Sequence, residues 1–281
     1  MFEQDVVKPG YIFGCILSLL ALSWGIPILV APGFLPGWSL GLIPFLPGIL
    51  ALVFLSLEDH PIQVHARPLF GPVKVPAVIL SVAYPFLLLG LAALVALGTG
   101  LGNLNPGAGT GIDTALAAGV VAFLVAIPAS LLQEYGYRGY LLPALTYWRG
   151  KIAATLIVGI LWGLSMAPFS YLVLSGAGAG DPLTLAFLGF LLTVSVAFAF
   201  SSCYYLSESI LPVTLMNVLL TILVPAFFSA GWNPTGAASG GLIGVTWPSP
   251  VPLLLLVALA FVPVIAWLFT VMDGEMFGDE L

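Results

Sequence analysis

Charge is what this sequence has least of. Only 6% of its 281 residues are Asp, Glu, Lys or Arg, six of them basic and twelve acidic, against roughly 25% in an ordinary soluble domain. So few charges cannot clothe a water-exposed surface, which excludes a soluble enzyme and a disordered scaffold. Six Lys and Arg spread over the chain cannot make the clustered basic face that a phosphate backbone requires, so no nucleic-acid partner is expected. Histidine is scarce too: His60 and His65 share one polar segment and read as ordinary loop residues. Cys15 and Cys203 lie in or beside apolar runs, giving neither a disulfide framework nor zinc spacing. The opening MFEQDVVKPG lacks the basic start of a secretory signal, so the first apolar segment reads as a retained span.

Apolar residues, by contrast, make up 60% of the chain. Crossing about 30 Å of hydrocarbon takes about 20 mostly apolar helical residues. Eight segments qualify, at roughly 10–31, 39–57, 77–98, 114–133 with a helical continuation toward 146, 152–173, 183–205, 209–229 and 250–272. The runs are continuous and do not alternate, which favours helices that satisfy their own backbones over barrel strands. The expected fold is therefore all-α, a polytopic bundle of about eight transmembrane helices forming one integral membrane domain over 1–281. Its first partner is the lipid bilayer. Pro27, Pro47, Pro85, Pro128, Pro212 and Pro263 fall inside these spans and predict kinks.

The few basic residues set an orientation. Lys8 precedes the first span, Arg67 and Lys74 follow the second, and Arg149 and Lys151 follow the fourth. With eight spans these five share one side, and the opposite loops (about 99–113, 174–182 and 230–249) contain no Lys or Arg. The positive-inside rule then predicts a multi-pass protein of the cell membrane with both termini cytoplasmic.

Arg138 is the one basic residue outside those loops. It stands four residues after Glu134 in LLQEYGYRGYLLPAL, a spacing that puts acid and base on one helix face. A charge near mid-bilayer costs on the order of 2.5–3.5 kcal/mol on insertion scales, so a pair kept there is a candidate functional site. The other reading places the helix end at the interface, where Arg138 snorkels to water and Glu134 is merely solvated. Gly136 and Gly139 would let a second helix approach closely. Tyr135, Tyr137, Tyr140, Tyr147 and Trp148 cluster at the same depth, as an interfacial aromatic belt would.

These residues resemble a known pattern. QEYGYRGYLLPAL is similar to the first motif of the CPBP membrane proteins, which include CAAX prenyl endopeptidases and bacteriocin-processing proteins: Glu-Glu-x-x-x-Arg followed by Gly-Tyr-Leu. GILWGLSMAPFSYL resembles the second motif, an aromatic residue four before a His with a Pro beyond. SESILPVTLMNVLLT resembles the third, Ser-Ile-x-Pro, then a His and, four residues later, an Asn or Asp. The resemblance covers 130–222 and implies an intramembrane endopeptidase acting on a prenylated or membrane-embedded peptide. In it a Glu activates water while His and Asn position that water and stabilise the oxyanion. A zinc ion held by two His and a Glu is the other chemistry the family implies.

At nearly every chemical position the sequence departs from that pattern. Gln133 replaces the first Glu, Met166 stands where the second motif has His, Asn217 falls at the third-motif His, and Thr221 at the Asn or Asp. Only Glu134 and Arg138 match. A carboxamide is no base near neutral pH, a thioether donates no hydrogen bond, and Met suits soft metals better than zinc, so no cofactor is expected. Three readings follow. The favoured one is a degenerate member, a pseudoenzyme with a binding or scaffolding role. The second is an active protease with Glu134 as general base and Arg138 as its partner. The third is an unrelated transporter, which would be expected to show more intramembrane polar groups or paired broken helices in two halves; the sequence shows neither.

Overall fold

The computed structural model describes residues 8–58, 68–100, 124, 126–176, 181–230, 243–247 and 259–260. Helix α1, Pro9–Val30, is followed by a 3-10 segment, Gly37–Phe45, that runs into α2, Leu46–Leu57. Next come α3, Val75–Gly98, and a long helical stretch. It has lead-in turns over 126–134, a π-helical segment, Tyr135–Leu141, and α4, Leu142–Gly176, which is two helices meeting at Gly150. It is followed by α5, Pro182–Ser207, and α6, Ile210–Phe227. A short parallel pair follows: β1, Phe228–Ala230, and β2, Ile243–Trp247. The bundle is thus helical apart from this one pair, which lies at and beyond the end of the seventh expected span, where a loop was anticipated.

Five helices among the described residues are long and apolar enough to cross a bilayer, and Ile210–Val224 is a shorter apolar one. This is a multi-pass membrane protein. One of the five, Ala126–Val173, has 48 residues, and so joins the end of the fourth expected span and its continuation to the fifth. They part at Gly150, whose φ of 78° and ψ of 167° break the helix between Arg149 and Lys151. Most of the fourth span before 126 and nearly all of the last, 250–272, lie outside the described residues, as do Arg67, His60, His65 and Pro263.

Proline explains several helix starts. Pro9, Pro47, Pro76 and Pro182 stand in the first turns of α1, α2, α3 and α5, where a missing N–H has no intrahelical partner to lose. Pro47 therefore opens a helix where a kink was expected, and Pro212 stands three residues into α6 with the same effect. Asp181 caps α5: its carboxylate accepts the backbone N–H of Thr184 at 3.3 Å and the Thr184 hydroxyl at 2.5 Å. Those two hydrogen bonds hold it below the usual carboxylate range.

Interior prolines do leave carbonyls unpaired. Pro168 inside α4 cannot donate to the carbonyl of Leu164. The indole of Trp24 on α1 supplies the missing donor, Nε1 lying 3.1 Å from that oxygen. Trp24→Phe is expected to cost roughly 0.5–1.5 kcal/mol, read as a lower melting temperature in detergent. In a Pro168→Ala background, where a backbone N–H returns, most of that cost should vanish. An equal cost in both backgrounds would show that the indole acts by packing alone.

Side contacts align the bundle. The Lys8 backbone N–H donates to Glu58 Oε1 at 2.7 Å, and the Cys203 thiol to the Ala77 carbonyl at 3.4 Å. Lys151 Nζ stands 5.8 Å from the ring centre of Tyr205. With Trp24 against Leu164, these contacts gather Lys8, Lys74, Arg149 and Lys151 at one end of the bundle. Both thiols are buried and free, as their apolar neighbours predicted.

Candidate functional site

The π-helical segment sits on the first motif itself. Its wider turn, closed by the Leu142 N–H to the Tyr137 carbonyl, is a geometry that collects at functional or strained positions. Around it the backbones pack closely. A side chain on Gly136 would strike the Pro47 carbonyl, and one on Gly48 the Leu132 carbonyl oxygen. The close approach expected of Gly136 is thus made to α2.

Four motif side chains meet there. Arg138 Nη1 lies 3.0 Å from Glu134 Oε2, and both side chains are 0% exposed. The Asn217 amide of α6 donates to Glu134 Oε1 at 2.7 Å and to Gln133 Oε1 at 3.1 Å. An ionised carboxylate only accepts, so Glu134 dictates that Asn217 turns its NH2 inward. The second amide hydrogen then fixes the orientation of Gln133. Adjacent helix residues diverge by about 100°, yet the long side chains of Gln133 and Glu134 converge on a single nitrogen.

Aromatic faces enclose the cation. The Arg138 guanidinium carbon is 4.5 Å from the Trp162 ring centre, 5.0 Å from Phe200 and 5.7 Å from Tyr137, all within cation–π range. Nε and Nη2 find no hydrogen-bond acceptor among the described residues, so ring faces and one carboxylate hold the charge. The Tyr137 hydroxyl pairs with Ser165 Oγ at 2.5 Å, and Ser165 donates to the Trp162 carbonyl at 2.8 Å. The snorkelling arrangement of Arg138 is therefore not adopted. Nor do the tyrosines form one belt: Tyr135, Tyr137 and Tyr140 are buried, while Tyr147 is 65% exposed.

The remaining two motif positions stand apart from this hydrogen-bonded set. Thr221 is exposed, and its hydroxyl returns to the Asn217 carbonyl at 2.9 Å. Met166 is half-buried and packs against the main core. No cluster of three or more His, Cys, Asp or Glu that could hold a metal occurs among the described residues. One carboxylate, two carboxamides and a thioether do not fit a zinc ion either. Phe200 had no sequence signal; it lies on α5, outside all three motifs, and only packing brings it to Arg138.

Residues 115–223 match the family model described as type II CAAX prenyl endopeptidase Rce1-like. The match bears out the CPBP resemblance over that stretch, less than half of the chain, and spans all six motif positions. No curated protein matches the chain.

Proposed function

We propose, from the premise of an Rce1-like segment in a multi-pass membrane protein, that this chain is a non-catalytic relative with a binding or scaffolding role. One observation carries the reading: Glu134 is 0% exposed, with Oε1 accepting from the Asn217 amide and Oε2 turned toward the Arg138 guanidinium 3.0 Å away. A general base must reach its water within hydrogen-bond distance. Gln133 at 7% and Asn217 at 6% exposure occupy the more accessible edge, and neither carboxamide takes up a proton near neutral pH.

The partner proposed from the family resemblance is a membrane-embedded or prenylated peptide or protein, bound and not cut. The domain is taken as one unit over 1–281. The purified protein, assayed with a panel of prenylated and transmembrane peptides, is expected to release no product while retaining binding to at least one. Cleavage by the wild type that Glu134→Gln abolishes would make Glu134 a working base and overturn the proposal.

Both termini are proposed to face the cytoplasm of a cell whose plasma membrane holds the protein. The support is the gathering of Lys8, Lys74, Arg149 and Lys151 at one bundle end. Cysteines placed at Gly107 and Gly240 should react with an impermeant reagent outside intact cells, and one at Arg67 only after the cells are opened. The opposite pattern would invert the topology.

A further inference from the structure

Residues 68–70, in the stretch between α2 and α3 where a loop was expected, are helical and lead into a bend at Gly71. Pro68 and Leu69 turn inward, Leu69 against the main core, while Phe70 points away at 83% exposure. Two glycines let the segment seat. A Cβ on Gly139, the residue after Arg138, would lie 3.2 Å from Pro68 Cβ and 3.6 Å from Ile210 Cγ2. A Cβ on Gly71 would lie 2.8 Å from the Glu208 carbonyl oxygen and 3.4 Å from Ser209 Cβ. One short segment thus bears on the first motif at one end and on the α5–α6 turn at the other.

The turn it meets is held in an unusual shape. Glu208 has a φ of 56°, the left-handed region that costs a side-chain-bearing residue energy. Its N–H donates to the Tyr204 carbonyl at 2.6 Å. Ser207 Oγ accepts the Ser209 N–H at 3.3 Å and lies at the same distance from the Cys203 carbonyl. Behind the turn the buried Cys203 thiol donates to Ala77 at the start of α3, six residues beyond Gly71. The turn directs its Glu208 carbonyl against Gly71, where a side chain would force the two apart.

We propose that Pro68–Gly71 is a strap that clamps the first-motif helix to the α5–α6 turn. Its seating controls access from the Lys74-bearing end of the bundle to the interior around Cys203. The inference does not depend on whether the motif site is catalytic. It predicts a defined opened state, in which Cys203 is reached while the helices stay folded.

The test uses full-length protein in detergent with Cys15→Ser, leaving Cys203 as the single thiol. The rate of its reaction with a small maleimide is read by peptide mass spectrometry. Gly71→Val, which pushes the Glu208 carbonyl away, should speed labelling at least tenfold. Phe70→Ser, whose ring faces outward, should leave it unchanged. Trp24→Phe loosens the bundle elsewhere and should also leave it unchanged. A folded Gly71→Val protein labelled at the parent rate would overturn the strap, and so would equal acceleration by Trp24→Phe. If Gly71→Val does not fold, Gly71→Cys with Ser209→Cys replaces it, because 3.4 Å between the Cβ positions is close to disulfide reach. The oxidised pair should slow Cys203 labelling at least tenfold relative to its reduced form. Failure of the bridge to form, or an unchanged rate, would equally refute the strap.

Discussion

Arg138→Ala is expected to destabilise the protein by about 3–5 kcal/mol, the range for removing one partner of a buried ion pair. It strips Glu134 of the cation that pairs with it and leaves an unfilled space among Trp162, Phe200 and Tyr137. Glu134→Gln should cost less, roughly 1–3 kcal/mol, because its side-chain oxygen can still accept from Arg138 and the volume is kept. It should not be neutral. Arg138 is 0% exposed, so the escape to the interface that would spare a peripheral arginine is closed, and a guanidinium does not deprotonate in proteins. Arg138→Met combined with Glu134→Gln removes both charges at nearly constant volume and should be less damaging than Arg138→Ala alone, since a buried pair exchanged for neutral groups is often tolerated. Melting temperatures in detergent decide it. Equal values for Arg138→Ala, Glu134→Gln and wild type would mean that the pair contributes nothing to folding.

Part of this arrangement could be read from the chain without coordinates. An acid and a base at i, i+4 in an apolar run must share a face, and pairing follows from helix geometry alone. Gly136 and Gly139 announced close approaches for the same reason, since a missing side chain is visible in sequence. The identity of what fills the gap was not, because Pro47 and Pro68 come from segments far away in sequence. The aromatic enclosure of Arg138 divides in the same way. Trp162 was singled out as a motif residue, but Phe200 is one of many phenylalanines on apolar helices, and nothing local marks it.

Where the structure describes the expected spans, hydropathy found helices, because burying backbone in lipid leaves few alternatives. It was weaker on what interrupts them. Pro47 lies in an apolar run and looks interior until the 3-10 segment before it shows that the helix begins there. Pro168 sits in the second motif, and whether its kink is tolerated depends on an indole donor from α1, residues away in every sense that periodicity can detect. The π-helical turn is invisible for a related reason. It differs from α-helix by one hydrogen-bond register, and nothing in the composition of YGYRGYL marks that register.

Chemistry is the place where returning residues to the family pattern has the largest expected effect. Wild type and Gln133→Glu alone should both leave family substrates intact. The single change adds a second carboxylate beside Glu134, with one cation, Arg138, to serve both, and still supplies no imidazole or oxyanion donor. Catalytic groups act as units, so one restored member contributes little. The combination Gln133→Glu, Met166→His, Asn217→His and Thr221→Asn returns the carboxylate, both imidazoles and the amide together. Asn217 already meets the Gln133 and Glu134 side chains, so a His there starts within reach of the restored carboxylate and can balance its charge. Thr221 is the harder position: its hydroxyl is bound to its own helix, and an Asn would have to turn back toward the site. The fourfold variant, once shown to be folded and monodisperse, should cleave a prenylated family peptide at least about a hundredfold above background, the lower bound for positioned acid–base catalysis. A folded fourfold variant that binds the peptide yet cuts nothing would mean that the scaffold has lost more than these four side chains.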